Sequence, residues 1–168
     1  MTGPSAARIQ LDPLAVEDAE DMVEVLAGEE LYAFIGGAPP TLPELRSRYA
    51  RMLAGPPPES GQEWFNWIIR RLSDGRAVGT VQATLADQGR RAEIAWVVGL
   101  GWQGQGYASE AAAMLVDRLA ALRVSRIEAH IHPGHEASMK VAARIGLSPT
   151  DRFDDGERLW RRDLPSGG

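Results

Sequence analysis

The stretch WVVGLGWQGQGYASEA, residues 96–111, places Gly99, Gly101, Gly104 and Gly106 within eight positions and runs into an alanine-rich helical pattern. Two fingerprints overlap in it. Gly99, Gly101 and Gly104 spell G-x-G-x-x-G, which in a strand–turn–helix context cradles a dinucleotide. Gln103, Gly106 and Ala108 spell Q-x-x-G-x-A, a loop that ends at a helix N-terminus. Each points to a diphosphate, and the two diphosphates belong to different chemistries.

The flanking pattern decides between them. Before the glycines, WFNWIIRRL (64–72), AVGTVQATL (77–85) and AEIAWVVG (92–99) read as three strands joined by the turn signals SDG and DQG. The third is apolar on both faces apart from Glu93, which predicts a central, covered strand. Further upstream lie a short strand at 8–12, a helix from Ala15 to Leu26, the loop GGAPPT (36–41) and the helix LRSRYARML, with Pro43 in its first turn. In the first helix, Ala15, Met22, Val23 and Leu26 share one face by period, and Gly28 is a plausible stop. Downstream come a helix over Ala108–Leu122, a strand RIEAHI (126–131), a helix over Glu136–Ile145 and a hairpin turning at Asp155-Gly156. The expected fold is therefore α/β (α+β): a mixed, mostly antiparallel sheet of about seven strands, helices on both faces, one parallel β-α-β crossover. Residues 1–168 are expected to form a single domain.

This order is wrong for a dinucleotide fold. Such a fold needs several more parallel crossovers after its fingerprint, and only 69 residues follow Gly99. Glu128, 24 positions past Gly104, is the one feature in its favour. The second fingerprint has a direct mechanism. Glycines let the main chain approach a ligand closely. The first amides of a helix lack internal partners, and together with the helix dipole they hold a diphosphate without lysine or arginine. A glycine-rich turn that merely joins strand to helix is the plain alternative.

Gln103-Gly104-Gln105-Gly106-Tyr107-Ala108 resembles the pyrophosphate loop of the GNAT acetyltransferases, and the whole element order resembles their fold. AEIAWVV followed by GQGYASEA, and PGHEASMKVAARIGL with Ser138 and Gly146-Leu147, are similar to the subgroup that acetylates ribosomal-protein N-termini and small amines. The resemblance implies an acetyl-CoA-dependent N-acetyltransferase acting on a primary amine. It places the cofactor against Trp96, Val97, Val98, Gln103, Gly104, Gln105, Gly106, Tyr107, Ala108, Ser109, His135 and Ser138. Val97 and Val98 would meet the pantetheine arm where strands 92–99 and 126–131 splay apart, one backbone N–H serving the developing oxyanion. Glu93 is the expected general base, its pKa raised by burial. Its plain alternative is a structural ion pair with Arg91 or Arg126. Ser138 is the expected proton donor to sulfur, because Ala142 stands where relatives often carry tyrosine. His135 stands where asparagine is usual, and histidine caps a helix poorly. Glu110 is expected to support the loop or helix start. A CoA-binding sensor weakened in catalysis is the alternative function.

Tyr32, Phe34, the GGAPP loop and the final hairpin are the expected acceptor walls. The five tryptophans are assigned to the core by default. HIHPGH (130–135) holds all three histidines; the aspartate and further histidines of a di-metal site are missing, so no metal is expected. The absence of cysteine excludes thiolate sites and a cysteine-linked acyl intermediate. A net charge of −5 argues against nucleic acid. No 18-residue apolar span and no signal-peptide core appear, so no membrane partner and a cytoplasmic location are expected. A homodimer is left open.

Overall fold

The computed structural model describes residues 6–165; residues 1–5, part of the stretch used to exclude a signal peptide, lie outside it. In chain order the elements are β1 (Ile9–Pro13), α1 (Ala19–Val25), α2 (Tyr32–Ile35), α3 (Leu42–Ala54), β2 (Glu63–Arg71), β3 (Ala77–Ala86), β4 (Arg91–Val98), α4 (Tyr107–Ala121), β5 (Arg126–Ile131), α5 (Glu136–Arg144), β6 (Ser148–Asp154) and β7 (Glu157–Asp163). The strands form one sheet in the order β1-β2-β3-β4-β5-β7-β6. All neighbours are antiparallel except β4 and β5, which α4 joins as a parallel crossover. Among the described residues no helix is long and apolar enough to cross a membrane.

Strand alternation separates two cores. In β2, Ile68 packs with Met22, Val25, Leu45 and Tyr49 of α1 and α3. Trp67 and Ile69 point the other way and join Ala111, Leu115 and Leu119 of α4. α3 starts as its sequence dictates: Thr41 Oγ1 accepts from Glu44 N–H, the Glu44 carboxylate accepts from Thr41 N–H, and Pro43 sits in the first turn. At the other end of the chain, Asp155 and Gly156 adopt φ of 51° and 81°, the left-handed pair of a tight hairpin turn.

Three local expectations are corrected. A 3₁₀ turn, Val16–Asp18, precedes α1, so the helix begins at Ala19, beyond Ala15; Ala19, Met22 and Val25 are buried, and Val23 and Leu26 pack partly buried against the same core. Gly28 opens the next 3₁₀ turn instead of closing α1, and the short α2 follows it. Trp67 and Trp160 are buried and Trp96 and Trp102 pack half-buried against the core, but Trp64 is exposed.

The detail that positions the site is the short reach of the parallel pairing. β4 and β5 pair only through Arg91–Arg126, Ala92–Ile127 and Glu93–Glu128. β5 then continues against β7 to Ile131, while β4 stays with β3 to Val98. From Ile94 onward the two strands part.

Candidate active site

A cleft of about 800 Å³ lies along the freed end of β4. Trp96, Val97 and Val98 line it from β4, and Gly104, Gly106, Tyr107, Ala108 and Ser109 from the loop and first turn of α4. His135 and Ser138 line it from α5, together with Gln103 from the loop. Of the twelve positions expected to meet the cofactor, eleven are thus gathered in one place. Gln105 is not: it is exposed, and its carbonyl accepts from Arg8 Nη1 at 2.9 Å.

The loop has the backbone its glycines permit. Gly104 and Gly106 have φ of 78° and 85°, in the left-handed region, and Gly106 is the N-cap of α4. No side chain caps this helix. Among the described residues, the amides of Tyr107, Ala108 and Ser109 meet no acceptor; Glu110 N–H is the first to donate inside the helix, to Gly106 O. Gln103 Nε2 donates to Val98 O at 2.9 Å, so its side chain braces the loop against the strand end. Glu110 supports the helix start from outside the cleft, accepting from Arg8 N–H at 2.9 Å and from Arg8 Nε at 2.8 Å.

On α5, His135 is the N-cap residue but makes no side-chain cap bond. Its Nε2 lies 3.3 Å from Ser138 Oγ, and its ring stacks on Phe34 of α2 at 4.8 Å between centroids. Burial, and secondarily the neighbouring His132, push the His135 pKa below the usual imidazole value. His132 Nδ1 accepts from Gly134 N–H. Ala142 is fully buried.

Glu93 departs from expectation. Its side chain is 49% exposed where a buried one is expected. It pairs with neither arginine: Arg91 binds Glu128 and Asp87, and Arg126 binds Asp163. Its partner is His130, whose Nδ1 lies 2.8 Å from Glu93 Oε1. Glu93 belongs to the last β4–β5 pair before the splay, on the opposite sheet face from Ala92 and Ile94.

A second cavity, of about 190 Å³, lies on the face covered by α1 and α3, and Tyr32 is among its lining residues. Leu31 and Val97 line both cavities. Neither is lined by the GGAPP loop or the final hairpin. The sequence reading also passed over Lys140 and Arg144, which line the cleft; their i, i+4 spacing on α5 is a signal that marks one helix face.

Residues 8–148 match the family model of the acetyltransferase (GNAT) domain. The chain belongs to this family of acyl-transferring enzymes. An uncharacterized N-acetyltransferase of Bacillus licheniformis is 26% identical over 157 residues, 92% of this chain and 87% of that protein. The crystal structure of a GNAT-family acetyltransferase from Bacillus anthracis superposes with a TM-score of 0.76 at 18% identity, covering 95% of this chain and 96% of that one. A spermidine N-acetyltransferase from Vibrio cholerae, in complex with CoA and spermine, gives 0.73 at 14% identity, covering 95% and 96%. These two likenesses establish the fold.

Proposed function

We propose that the chain, acting as one domain, transfers the acetyl group of acetyl-CoA to a primary amine by direct attack. The observation that carries this reading is a cleft that opens where β4 loses its β5 partner and ends on unpartnered helix amides. The residues present fit the cosubstrate. Gly104 and Gly106 keep Cβ atoms away from a diphosphate, the amides of Tyr107, Ala108 and Ser109 donate to it, and Lys140 and Arg144 add positive charge across the cleft. The CoA and spermine bound by the Vibrio cholerae enzyme support the same pairing of coenzyme and amine here.

Acetyl-CoA supplies the thioester. Glu93 takes the proton of the attacking amine through a water molecule, and His130 orients its carboxylate from 2.8 Å away. A backbone N–H of the Val97–Val98 segment donates toward the carbonyl oxygen as negative charge develops there. Ser138 donates a hydrogen bond from its hydroxyl to the leaving sulfur, which departs as the thiolate and takes its proton from solvent. A neutral His135 protonated on Nε2 donates to Ser138 Oγ and leaves the hydroxyl proton free for that bond. Direct attack asks for no nucleophile from the chain, which has no cysteine.

Calorimetric titration with acetyl-CoA beside NAD, followed by thiol release over a panel of amines, tests the reading. Acetyl-CoA is expected to bind, NAD not, and at least one amine to release thiol. Binding of NAD alone overturns it. The sensor reading is favoured by Ala142, buried with no titratable proton where relatives carry tyrosine. Tight acetyl-CoA binding without thiol release on any amine selects that function.

A further inference from the structure

The smaller cavity shares Leu31 and Val97 with the cleft, and its walls identify what enters it. None of its lining residues is a carboxylate. Asn66, Thr80 and Gln82 contribute uncharged polar groups, and Arg48 contributes a guanidinium. Arg48 enters no ion pair among the described residues. Glu44, one turn earlier on α3, is held chiefly by the Thr41 cap, with Arg48 only a weaker electrostatic neighbour, and Asp18 is held by Arg70 at 2.7 Å.

Tyr49 adds an independent signal. It is 3% exposed, lines the cavity, and its hydroxyl has no hydrogen-bond partner. A buried donor left without a protein acceptor points to a partner that arrives with the ligand. Burial pushes the Tyr49 pKa up to about 12, so the hydroxyl keeps its proton at neutral pH and remains a donor.

We propose that this cavity binds the acceptor, and that the acceptor is a small amine carrying a carboxylate, held by Arg48 and Tyr49. This deepens the acetyltransferase reading and rests on it. A polycation would bring a second ammonium beside Arg48, with no carboxylate in the cavity to meet it. The chain's net charge of −5 favours cations at long range, but the groups in contact decide what is retained. The volume, about 190 Å³, equals that of about six waters and suits a free amino acid better than an aminoglycoside.

The test compares leucine and 6-aminohexanoate, each with its carboxamide, which lacks the negative charge, and spermidine. Calorimetric binding to the CoA-saturated protein is measured beside thiol release with acetyl-CoA. At least one acid is expected to bind tenfold tighter than its amide and than spermidine. R48A should bring that ratio close to one, R48K should restore part of it, and Y49F should weaken acid binding severalfold without lowering Tm. Equal binding of acids and amides, or preferred binding of spermidine, overturns the proposal. An acid that binds selectively yet releases no thiol sinks acetyl transfer to that acceptor and leaves the carboxylate site standing, so the two failures are distinguishable.

Discussion

Glu93 Oε1 and His130 Nδ1 stand 2.8 Å apart at the point where β4 and β5 stop pairing. The contact joins the one ionisable side chain facing out of central β4 beyond Arg91 to the strand that diverges from it. Asp154 lies 4.0 Å from the other imidazole nitrogen, so His130 stands between two carboxylates.

Replacing Glu93 by Gln keeps the size and most of the hydrogen bonding but removes the base. Turnover should fall by about 100-fold or more, the usual worth of a positioned proton acceptor. Because Glu93 does not line the cofactor cleft, the acetyl-CoA affinity should stay within about twofold. Steady-state thiol release and calorimetry separate the two quantities. Unchanged turnover would retire Glu93 as base.

Gly106→Val attacks the loop. At φ of 85° a β-branched residue is strongly disfavoured, and a Cβ there also comes within 3.3 Å of Arg8 Nη2. The N-cap must then move, and the first amides of α4 lose their common aim. Acetyl-CoA binding should be lost while far-ultraviolet circular dichroism stays unchanged. Retained affinity would argue that the diphosphate is held elsewhere.

Arg8 and Glu110 clamp this loop from behind, with the Arg8 guanidinium 4.8 Å over the Tyr107 ring and bonded to Gln105 O. The pair is largely exposed, so its worth to global stability is about 1 kcal/mol or less. Its expected effect is on ordering the loop. R8A and E110A should each raise the Kd for acetyl-CoA about threefold to tenfold, and the double variant should add little, as a double-mutant cycle would reveal. Additive losses would mean that the two act separately.

Local signals made much of the frame legible in the sequence. The Asp155-Gly156 turn and the α3 start are set by residues next to one another. Gly106 was readable because a left-handed N-cap admits few residues. What stayed hidden depends on residues far apart in the chain. Arg8 meets Glu110 across 102 positions, and His130 meets Glu93 across 37. The exposure of Glu93 follows from the splay at its end of the sheet, which an apolar strand pattern does not report. α2 is only four residues long, too short to show a helical period.

Gly79 tests the strand geometry beneath the site. It lies opposite Val98 in β3, and a Cβ there would collide with the Val97 carbonyl oxygen, a backbone atom that cannot swing away. Gly79→Ala should destabilise the protein by about 1–3 kcal/mol through overpacking. It should also displace the β4 edge and weaken acetyl-CoA binding. Denaturant unfolding checks the first effect and calorimetry the second; an unaltered midpoint would mean that β3 and β4 can separate without cost.

His135 makes stability depend on pH. Its pKa is lowered in the folded chain, chiefly by burial and then by His132, with Phe34 stacked on the ring and Ser138 at its Nε2. The unfolded chain therefore binds a proton more readily, at the ordinary value near 6.5. The sign follows: stability is fully present above that pH and is lost as pH falls below it toward the folded value. His135→Asn removes the titrating group and supplies a better N-cap for α5, worth about 0.5–2 kcal/mol where the cap bond forms. The variant should melt higher than the parent, and the gap should widen as pH drops from 7 to 5. A gap that stays constant over that range would show that His135 does not carry the acid sensitivity.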